Sequence, residues 1–391
     1  MYLTQIYGKR KCFNALVSLR QKLALIYHII PFLFSPSPIK NRFSFIFSIL
    51  TSRPNYNVKF KNDMILQFKS SQFEVVFSII YIIKLSTSYS INSKGVIEFS
   101  FDHQNKFSIP ISNLSHEDEN LLELFCKGSI HGANFITENK MGDLDIRDKT
   151  IKIIQKDGKK IVETSTGIKF YLDSIHPEVT IVETFVSNIH MINSHYKWSN
   201  KVVVDAGAEC GDTPLYYANM GAKVFAFEPI KAHFDAMMRN ISLNPELSER
   251  IIPINAAIGK DGPLKFYQSN QGDLAGGASF VYNVHRENVK ISDVTGYSLE
   301  SAFKEFNINH VDLLKMDCKG CEFLLTENAL KNVDMVKIEF LSFDNSHKLK
   351  DLLKILENAG FKYMIYKINP RQMVSNNVFG HIYGKKIQSN I

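Results

Sequence analysis

The sequence predicts an α/β protein in which the C-terminal half folds as a doubly wound, mostly parallel sheet, preceded by a mixed α+β region. Three observations support this fold. From Lys201 onward, short β-branched and aromatic runs alternate with amphipathic helical patterns. The first run ends in a glycine-rich turn, and the last two follow each other without a helix between them. Because each connecting helix packs back onto a sheet face, this alternation favours parallel strands with a closing antiparallel pair.

The predicted elements follow one another at short intervals. The first strand is residues 202–206, and a helix begins at residue 212. The others, in chain order, are strand 224–227, helix 231–243, strand 251–255, helix 298–306, strand 311–316, helix 321–329, strand 335–340, helix 346–359 and strands 361–366 and 378–383. Ligands of such sheets bind outside the carboxyl ends of the strands. The polar residues expected at those ends, and hence in one crevice, are Asp205, Glu228, Asn255 and Asp317.

The turn after the first strand is typical of a nucleoside pocket. Gly207 and Gly211 let the backbone turn tightly and approach a ligand closely. Asp212 or Thr213 is expected to cap the helix that follows. Glu228 closes the second strand about 20 residues further on, where a carboxylate can accept both hydroxyls of a ribose.

The glycine spacing argues against a dinucleotide cofactor. A diphosphate cradle needs the pattern G-x-G-x-x-G, but Glu209 and Asp212 stand where its second and third glycines would be. Those carboxylates would face phosphate groups. S-adenosylmethionine has no phosphate and carries a sulfonium, so an acid-lined turn suits it better.

The chain from about Val202 to Tyr366 resembles the FkbM-type methyltransferases. The segments that carry the resemblance are VVVDAGAECGDT, VFAFEP, residues 255–259, the glycine-rich loop that ends at Ser279, and residues 312–322. Several motifs in the same order are more specific than any one alone. The resemblance implies a Rossmann-like class I methyltransferase sheet, S-adenosylmethionine as cofactor, and methyl transfer mostly to hydroxyl groups.

The resemblance also implies cofactor-binding positions. These are Asp205, Gly207, Gly211, Thr213, Glu228, Asn255, Ala256, Ala257 and Ser279. The first four belong to the loop that holds the methionine part in the family, and Glu228 corresponds to the acid that holds the ribose. The turn from Asn255 to Ala257 corresponds to the segment that lies against the adenine.

Asp317 is the first candidate for positioning the acceptor or removing its proton, because the matching family residue faces the reaction centre. Lys315 and Glu339 are further catalytic candidates. Strand alternation places Lys315 and Asp317 on one face of the sheet. The alternative to a catalytic role for the two residues is therefore a salt bridge between them that serves structure alone. Lys319 departs from the family pattern, which usually has an acid there, so no role is assigned to it.

A magnesium ion is an option that the sequence leaves open without favouring it. Asp317, Asp344 and Asn345 would offer oxygen ligands at adjacent strand ends, suited to Mg²⁺ and a pair of substrate hydroxyls. Asp-Asn is also a common turn pair. No metal ligand is therefore assigned.

The cysteines do not suggest a disulfide framework, because five is an odd number in a long chain. Cys318 and Cys321 make one C-x-x-C, compatible with a redox pair or half of a zinc site. Without a second such pair or neighbouring histidines, the sequence favours two small residues that fill a tight strand-to-helix turn.

Smaller elements are predicted upstream of the sheet. Ser115 opens an apolar-periodic helix that is expected to stop at Gly128. A β-meander follows, with Asp157 and Gly158 as a hairpin turn. Its strands are residues 151–154, 160–163 and 168–172. The apolar run at residues 75–83 is compatible with either helix or strand.

The 391-residue chain is long enough for more than one domain. We expect a basic, apolar-rich segment at residues 1–62, a mixed α+β region at 63–200 and the S-adenosylmethionine-binding domain at 201–391. The first segment has ten lysine and arginine residues and no acidic residue, although the net charge of the whole chain is only +7. The rest of the chain is therefore slightly acidic.

The basic segment allows three interpretations. It can lie on an anionic membrane surface, act as a cleavable targeting sequence, or pack as helices on the rest of the protein. Neither of its apolar runs reaches the roughly 18 residues of a membrane-spanning helix. No small-residue cleavage site follows them, so we expect a cytoplasmic protein, with peripheral membrane contact as an option.

Three functions remain open at this point. The first is O-methylation of a hydroxylated small molecule, glycan or lipid. The second is RNA methylation, suggested by the basic segment, although no RNA-binding motif is recognisable and the catalytic half is not basic. The third is a binding protein that retains the fold without catalysis.

Overall fold

Backbone contacts divide the chain into two compact units, residues 1–167 with 176–187 and residues 168–175 with 188–391. The three-segment division predicted from the sequence stays a prediction, and residues 1–36 of its basic segment lie outside the described residues. The computed structural model describes residues 37–51, 53–61, 63, 65–69, 73–92, 94–101, 106–111, 114–137, 149–191, 195–269, 289–342, 348–366 and 378–387.

The first unit combines helices with short strands. The helices are α1 (Arg42–Leu50), α2 (Phe73–Leu85), α3 (His116–Ile130) and a π-helix (Glu178–Val186). The strands are β1 (Asn55–Lys59), β2 (Ile65–Lys69), β3 (Ser88–Ile91), β4 (Val96–Ser100), β5 (Lys106–Pro110), β6 (Asn134–Thr137), β7 (Thr150–Lys156) and β8 (Lys159–Glu163). Strands β1 and β2 pair antiparallel, as do β3, β4 and β5, while β7 pairs parallel with β6 and antiparallel with β8.

Local sequence signals account for several of these elements. Ser115 accepts a hydrogen bond from the backbone N–H of Asp118 and donates its own N–H to the Asp118 carboxylate, so both ends of a capping box are present. The helix passes the predicted stop and ends at Ile130, because Gly132 and not Gly128 takes the left-handed conformation. The predicted hairpin between β7 and β8 is confirmed. The ambiguous run at residues 75–83 is helical.

The second unit contains the predicted sheet. Its strands are β9 (Lys169–Tyr171), β10 (Val202–Ala206), β11 (Lys223–Phe227), β12 (Ile251–Ile254), β13 (Ala257–Ile258), β14 (Gly262–Ser269), β15 (Val289–Tyr297), β16 (Val311–Met316), β17 (Val333–Ser342), β18 (Phe361–Tyr366) and β19 (Val378–Lys386). Its helices are α4 (Asp212–Asn219), α5 (Lys231–Ser242), α6 (Pro245–Ser248), α7 (Leu299–Glu305), α8 (Leu349–Asn358) and two 3₁₀ turns (Leu172–Ser174, Cys321–Leu324).

Seven strands form the central sheet in the order β12-β11-β10-β16-β17-β19-β18. The first four neighbouring pairs are parallel, and β19 pairs antiparallel with both β17 and β18. Every residue of β16 is buried, as expected for a strand covered on both faces. The doubly wound, mostly parallel fold with a closing antiparallel pair is therefore confirmed.

Two parts of this unit differ from the predicted elements. The helix predicted at residues 321–329 is only the short 3₁₀ turn, because the backbone is already extended at the buried residue Leu325. A small sheet of β13, β15 and β14 was not predicted at all. Across the described ranges, no helix has both the length and the apolar character needed to traverse a bilayer.

Candidate active site

A pocket opens at the carboxyl ends of β10, β11 and β16. The pocket spans about 590 Å³ of space between protein atoms, part of which is open to solvent. The polar and glycine positions that line it are Gly207, Glu209, Glu228, His233, Asp317 and Lys319. The remaining lining residues are Pro229, Ile230, Ala257, Ile258, Phe266 and Cys318. One part of the pocket is therefore apolar, and another carries charge.

The glycine loop after β10 makes the pocket possible. Gly207 has a φ of +89°, and a Cβ atom there would lie 2.1 Å from the carbonyl oxygen of Asp317. No other residue fits this close approach of two backbones. Gly211, at a φ of +90°, is the N-cap of α4. The predicted side-chain cap from Asp212 or Thr213 is therefore wrong, because no side chain caps this helix.

A buried amide on α5 supports the same loop. Asn240 is fully buried, and its amide nitrogen donates to the carbonyl oxygen of Cys210 at 2.9 Å. Its amide oxygen accepts the backbone N–H of Tyr171 in β9 at 3.0 Å. This single side chain ties the glycine loop to β9.

Lys315 and Asp205 form a buried ion pair behind the pocket. The two charged groups lie 2.9 Å apart, and Lys315 also donates to the carbonyl oxygen of Gly207 at 3.0 Å. The Thr213 hydroxyl donates to the second oxygen of the Asp205 carboxylate. The structural alternative, in which Lys315 pairs with Asp317, is not what is observed. Lys315 pairs with Asp205 because the two residues are directly opposite each other in β16 and β10.

The surroundings of Lys315 and Asp205 shift the pKa values of both groups. Burial lowers the pKa of the Lys315 ammonium, but the charges of Asp205 and Asp317 outweigh burial and raise it overall. Burial also raises the pKa of Asp205, which Lys315 and Thr213 partly offset. Removing one member of such a pair would leave a buried charge uncompensated, at a cost of about 3–5 kcal/mol.

Glu228 reaches the pocket from the end of β11. Its two carboxylate oxygens accept the backbone N–H groups of Glu209 and Ile230, each at 2.8 Å. The residue is 3% exposed, and burial raises its pKa to about 8 in spite of those hydrogen bonds. The His233 ring nitrogen lies 3.7 Å from the carboxylate. Each oxygen has a second lone pair, so the carboxylate can still accept hydrogen bonds from a ligand.

The turn after β12 supplies an apolar side of the pocket. Ala257 lines the pocket, whereas Ala256 is buried in the core cluster of the sheet. Asn255 donates its amide to the carbonyl oxygens of Glu228 and Pro229, at 2.8 and 3.2 Å. Its side chain therefore holds the end of β11 in place.

A charged cluster stands at the ends of β16, β17 and β19. The Lys319 ammonium lies 3.7 Å from the Asp317 carboxylate and 4.0 Å from that of Glu339. His381, opposite Glu339 in β19, lies 3.8 Å from the same carboxylate. Burial raises the pKa of Asp317, but the positive charges of Lys319 and Lys315 outweigh it, so the net pKa is lowered. Asp317 is therefore ionised at neutral pH.

Two further groups complete the charge distribution of this cluster. Interaction with the Glu339 side chain lowers the pKa of Asp317 further. Burial, together with the charge of Lys337, lowers the pKa of His381 to about 4. His381 is therefore neutral at pH 7. In this cluster Asp317 is thus ionised, Lys319 is charged and His381 is neutral.

Cys318 and Cys321 are joined by a disulfide at the pocket wall. The sequence favoured two separate small residues in a tight turn, and this interpretation is wrong. The turn itself is present, since Lys319 and Gly320 between the cysteines both have positive φ angles.

Comparison with known proteins assigns this region to a family. Residues 205–363 match the family described as the Methyltransferase FkbM domain. The second unit contains an FkbM methyltransferase domain. Methyltransferase sdnD of Sordaria araneosa is 28% identical over a match that covers 35% of this chain and 61% of that protein. The chain thus spans less than two thirds of this relative.

Solved structures show more distant likeness. The METTL16 MTase domain superposes with a TM-score of 0.36 and 12% identity, covering 80% of this chain and 91% of that one. M. jannaschii TYW2, solved in complex with AdoMet, has a TM-score of 0.30 and 15% identity, covering 64% and 90%. Both TM-scores are low.

S-adenosylmethionine is the cofactor of FkbM domains, and the pocket fits it. Gly207 leaves open the space that a Cβ would fill. Glu228 offers carboxylate oxygens for the ribose, and Ile230, Ile258 and Phe266 supply apolar surface for a purine. These features are those expected of a nucleoside site.

The predicted site residues of the FkbM domain fall into three groups. Those that line the pocket are Gly207, Glu228, Ala257 and Asp317. Those that lie behind it or beside it are Asp205, Gly211, Thr213, Asn255, Ala256, Lys315 and Glu339. Ser279 lies outside the described residues, as do Asp344 and Asn345 of the unassigned magnesium option. Individual roles in binding and catalysis stay predictions.

Several lining residues were not predicted from the sequence. His233 is the third residue of α5. Its place five residues after Glu228, near the predicted pocket, could have marked it as a lining residue. Phe266 lies on β14, in an alternating stretch that predicts a strand once it is considered. Lys319 was set aside because it departs from the family pattern, yet it lies between two carboxylates.

Proposed function

We propose that the protein is an S-adenosylmethionine-dependent O-methyltransferase whose acceptor is a hydroxyl group on a glycan, a glycolipid or a small polyhydroxylated metabolite. The observation that carries the proposal is the position of Asp317, which lines the same pocket as Gly207 and Glu228. A hydroxyl is a poor nucleophile until its proton is removed, and an ionised carboxylate can remove it.

Bound S-adenosylmethionine supplies the methyl group on a positively charged sulfur. The protein binds and orients the reactants around it. Glu228 accepts hydrogen bonds from the ribose hydroxyls, and the backbone of Gly207 lies against the ligand. The ion pair of Lys315 and Asp205 fixes the Gly207 carbonyl, so this backbone does not have to rearrange when ligand binds.

Asp317 accepts the proton of the acceptor hydroxyl. Lys319 and Lys315 keep its carboxylate ionised before the reaction, and its interaction with Glu339 lowers its pKa further. His381 remains neutral, so it adds no positive charge that would weaken the base. Lys315 and Glu339 are therefore positioning residues, and Asp317 is the catalytic residue.

The charges at the pocket favour an uncharged acceptor over RNA. A phosphate backbone is bound by several lysines or arginines. Among the described residues that line the pocket, Lys319 is the one lysine or arginine, and it is accompanied by the acidic residues Glu209 and Asp317. A hydroxylated, uncharged acceptor enters such a site without repulsion. Peripheral membrane contact through residues 1–62 stays a separate proposal.

The test is methyl transfer by the purified full-length chain. The protein is incubated with methyl-labelled S-adenosylmethionine and extracts of glycans, lipids, small metabolites or RNA, and products are examined by mass spectrometry for an added methylene mass. We expect label in a hydroxylated glycan, lipid or metabolite. Transfer to RNA alone, or cofactor binding without transfer to any fraction, would contradict the proposal.

A further inference from the structure

We propose that Cys318 and Cys321 are a redox-active pair that exchanges with small thiols and disulfides, and that its oxidation state changes the affinity of the pocket for cofactor. The exchange itself stands on the cysteine geometry alone. Its effect on affinity rests on the proposed function, because it presumes that S-adenosylmethionine occupies this pocket.

The two sulfurs differ in access, as a reactive pair requires. Cys318 is partly exposed and lines the pocket, whereas Cys321 is 1% exposed. The Cα atoms lie 5.5 Å apart, a separation at which the bond closes without backbone movement. An incoming thiolate can therefore reach Cys318 but not Cys321. Attack at the accessible sulfur makes the inner sulfur the leaving group.

Glu322 provides a proton source next to the pair. It is fully buried, and one carboxylate oxygen lies 4.0 Å from the Cys318 sulfur while it accepts the Gly320 N–H at 2.6 Å. A carboxylate oxygen of Glu322 and both sulfurs lie within 4.8 Å of one another. Burial raises the pKa of Glu322, so its carboxyl can carry a proton closer to neutral pH than an exposed one.

The exchange balances with a dithiol as the co-reactant. Its thiolate bonds to the Cys318 sulfur, the Cys318–Cys321 bond breaks, and the Cys321 thiolate takes a proton from Glu322. The second thiol of the co-reactant, as thiolate, then attacks the mixed disulfide and releases Cys318 as a thiolate. Cys318 and Glu322 are reprotonated from solvent. The protein disulfide gains two electrons and two protons, and the co-reactant becomes a disulfide.

The pair is coupled to the pocket through the backbone. Asp317 and Lys319 flank Cys318, and the disulfide closes a turn in which Lys319 and Gly320 have φ angles of +47° and +133°. A left-handed non-glycine residue such as Lys319 is held against the preference of L-residues for negative φ angles. Reduction releases that constraint. The adjoining Asp317 carbonyl is the group packed against Gly207, so the release acts on the cofactor loop.

The first experiment titrates the thiols of the full-length protein. The protein is equilibrated in graded mixtures of reduced and oxidised dithiothreitol, alkylated with iodoacetamide and examined by peptide mass spectrometry. Cys318 and Cys321 should become alkylated together as a two-electron couple, with Cys318 reacting first. Buried Cys126 and Cys210, which are not part of this disulfide, serve as internal references. Constant alkylation of the pair across all mixtures would overturn the proposal.

The second experiment measures cofactor affinity in both states by calorimetry. We expect reduction to weaken binding about fivefold or more, a usual size for coupling between sites. The double variant Cys318→Ser/Cys321→Ser should bind as the reduced protein does and lose the redox response, whereas Cys126→Ser should keep it. Equal affinity in both states would refute the coupling. Absence of binding in both would instead count against the proposed function, while the thiol titration would still stand.

Two further measurements test the proton donor and the competing possibility of a metal site. Glu322→Gln, checked for folding by circular dichroism, should slow exchange and flatten its pH dependence. Unchanged exchange kinetics in that variant would remove Glu322 from the proposed step. Reduced protein is also dialysed against zinc, since the two thiols and Glu322 could ligate a metal. Stoichiometric zinc retention that blocks reoxidation would assign a metal site and overturn the redox role.

Discussion

The pocket of the FkbM domain has two walls that are built by different means. The wall that we propose holds the cofactor, called the cofactor wall, is formed by Gly207, Glu228 and Ala257. It depends on backbone groups, because a missing Cβ and two N–H donors define its geometry. The wall that we propose faces the acceptor, called the acceptor wall, is formed by Asp317, Cys318 and Lys319 and depends on side-chain charges at the strand ends. The two walls touch where Gly207 meets the Asp317 backbone.

This difference predicts how each wall responds to substitution. A change in the cofactor wall displaces backbone or exposes buried groups, so it should alter stability and cofactor affinity together. A change in the acceptor wall alters charge on partly exposed side chains, so it should alter turnover while the fold persists. Four variants test this contrast, in order of decreasing effect.

Asp317→Asn should have the largest effect. The amide cannot accept the proton of the hydroxyl, so turnover should fall by about 10²–10⁴-fold while cofactor affinity changes little. Initial rates and calorimetric titration measure the two quantities. Asp293→Asn, at an exposed carboxylate on β15, is the matched control and should leave both unchanged. Full activity of Asp317→Asn would remove this residue from the mechanism.

Gly207→Ala should abolish cofactor binding and destabilise the protein. The new Cβ would overlap the Asp317 carbonyl, so we expect loss of measurable cofactor binding and destabilisation of about 3 kcal/mol or more. Gly360→Ala is the control, because its φ of +83° carries the same backbone penalty with no atom within 4 Å of the new Cβ. Thermal unfolding compares the two variants. Equal losses would show that only the backbone penalty matters.

Glu228→Gln should remove a pH dependence of stability that the buried Glu228 carboxyl causes. The folded pKa of about 8 lies above the unfolded value near 4.5, so the folded state binds the extra proton between these limits. Stability from this group is complete below about pH 4.5 and is lost as pH rises through 8. Between pH 5 and 9 the melting temperature of the variant should therefore rise relative to that of the wild type. The corresponding change in the free energy of unfolding is a few kcal/mol at most.

A pH-independent difference between the two proteins would contradict a raised pKa of Glu228. The same variant should also bind S-adenosylmethionine severalfold more weakly above about pH 8, where the wild-type carboxylate is ionised, because an amide donates where a ribose hydroxyl needs an acceptor. Unchanged affinity in calorimetry would count against the ribose assignment.

Lys319→Ala should have the smallest effect on stability, below about 1 kcal/mol, because its ammonium is partly exposed to water. Its effect should instead appear in catalysis. Without this positive charge the pKa of Asp317 rises, so the acidic limb of the pH profile of kcat/KM should move to higher pH. Lys265→Ala, which removes an exposed ammonium 4.0 Å from Asp293, should leave the profile in place. An unmoved limb in Lys319→Ala would show that Lys319 does not act on the base.

The sequence predicted the sheet because its strands are buried on both faces, which leaves continuous apolar runs such as residues 202–206. It also predicted which strand ends carry polar groups. It did not predict that Lys315 would pair with Asp205. That contact depends on β10 and β16 being neighbours, although Lys315 and Gly207 are 108 residues apart in the chain. Strand order is a property of the assembled sheet.

The sequence named Asp317 and Glu339 as candidates, but for a similar reason it did not predict their contacts with Lys319 and His381. Glu339 and His381 are opposite each other only because β19 returns antiparallel beside β17. Their spacing along the chain carries no signal of this contact. Phe266 lies on β14, which belongs to a separate small sheet. The strand-helix alternation that predicted the main sheet gave no indication of this second sheet. Local patterns therefore predicted the elements, and the contacts between distant elements required the structure.

The antiparallel placement of β19 has an evolutionary consequence. Residues 378–386 of β19 stand beside Glu339 in the charged cluster, while the segments proposed to hold the nucleoside lie more than a hundred positions earlier in the chain. Under the proposed function, exchange of side chains on this strand would therefore change which acceptor is methylated and leave the proposed nucleoside-binding segments unaltered.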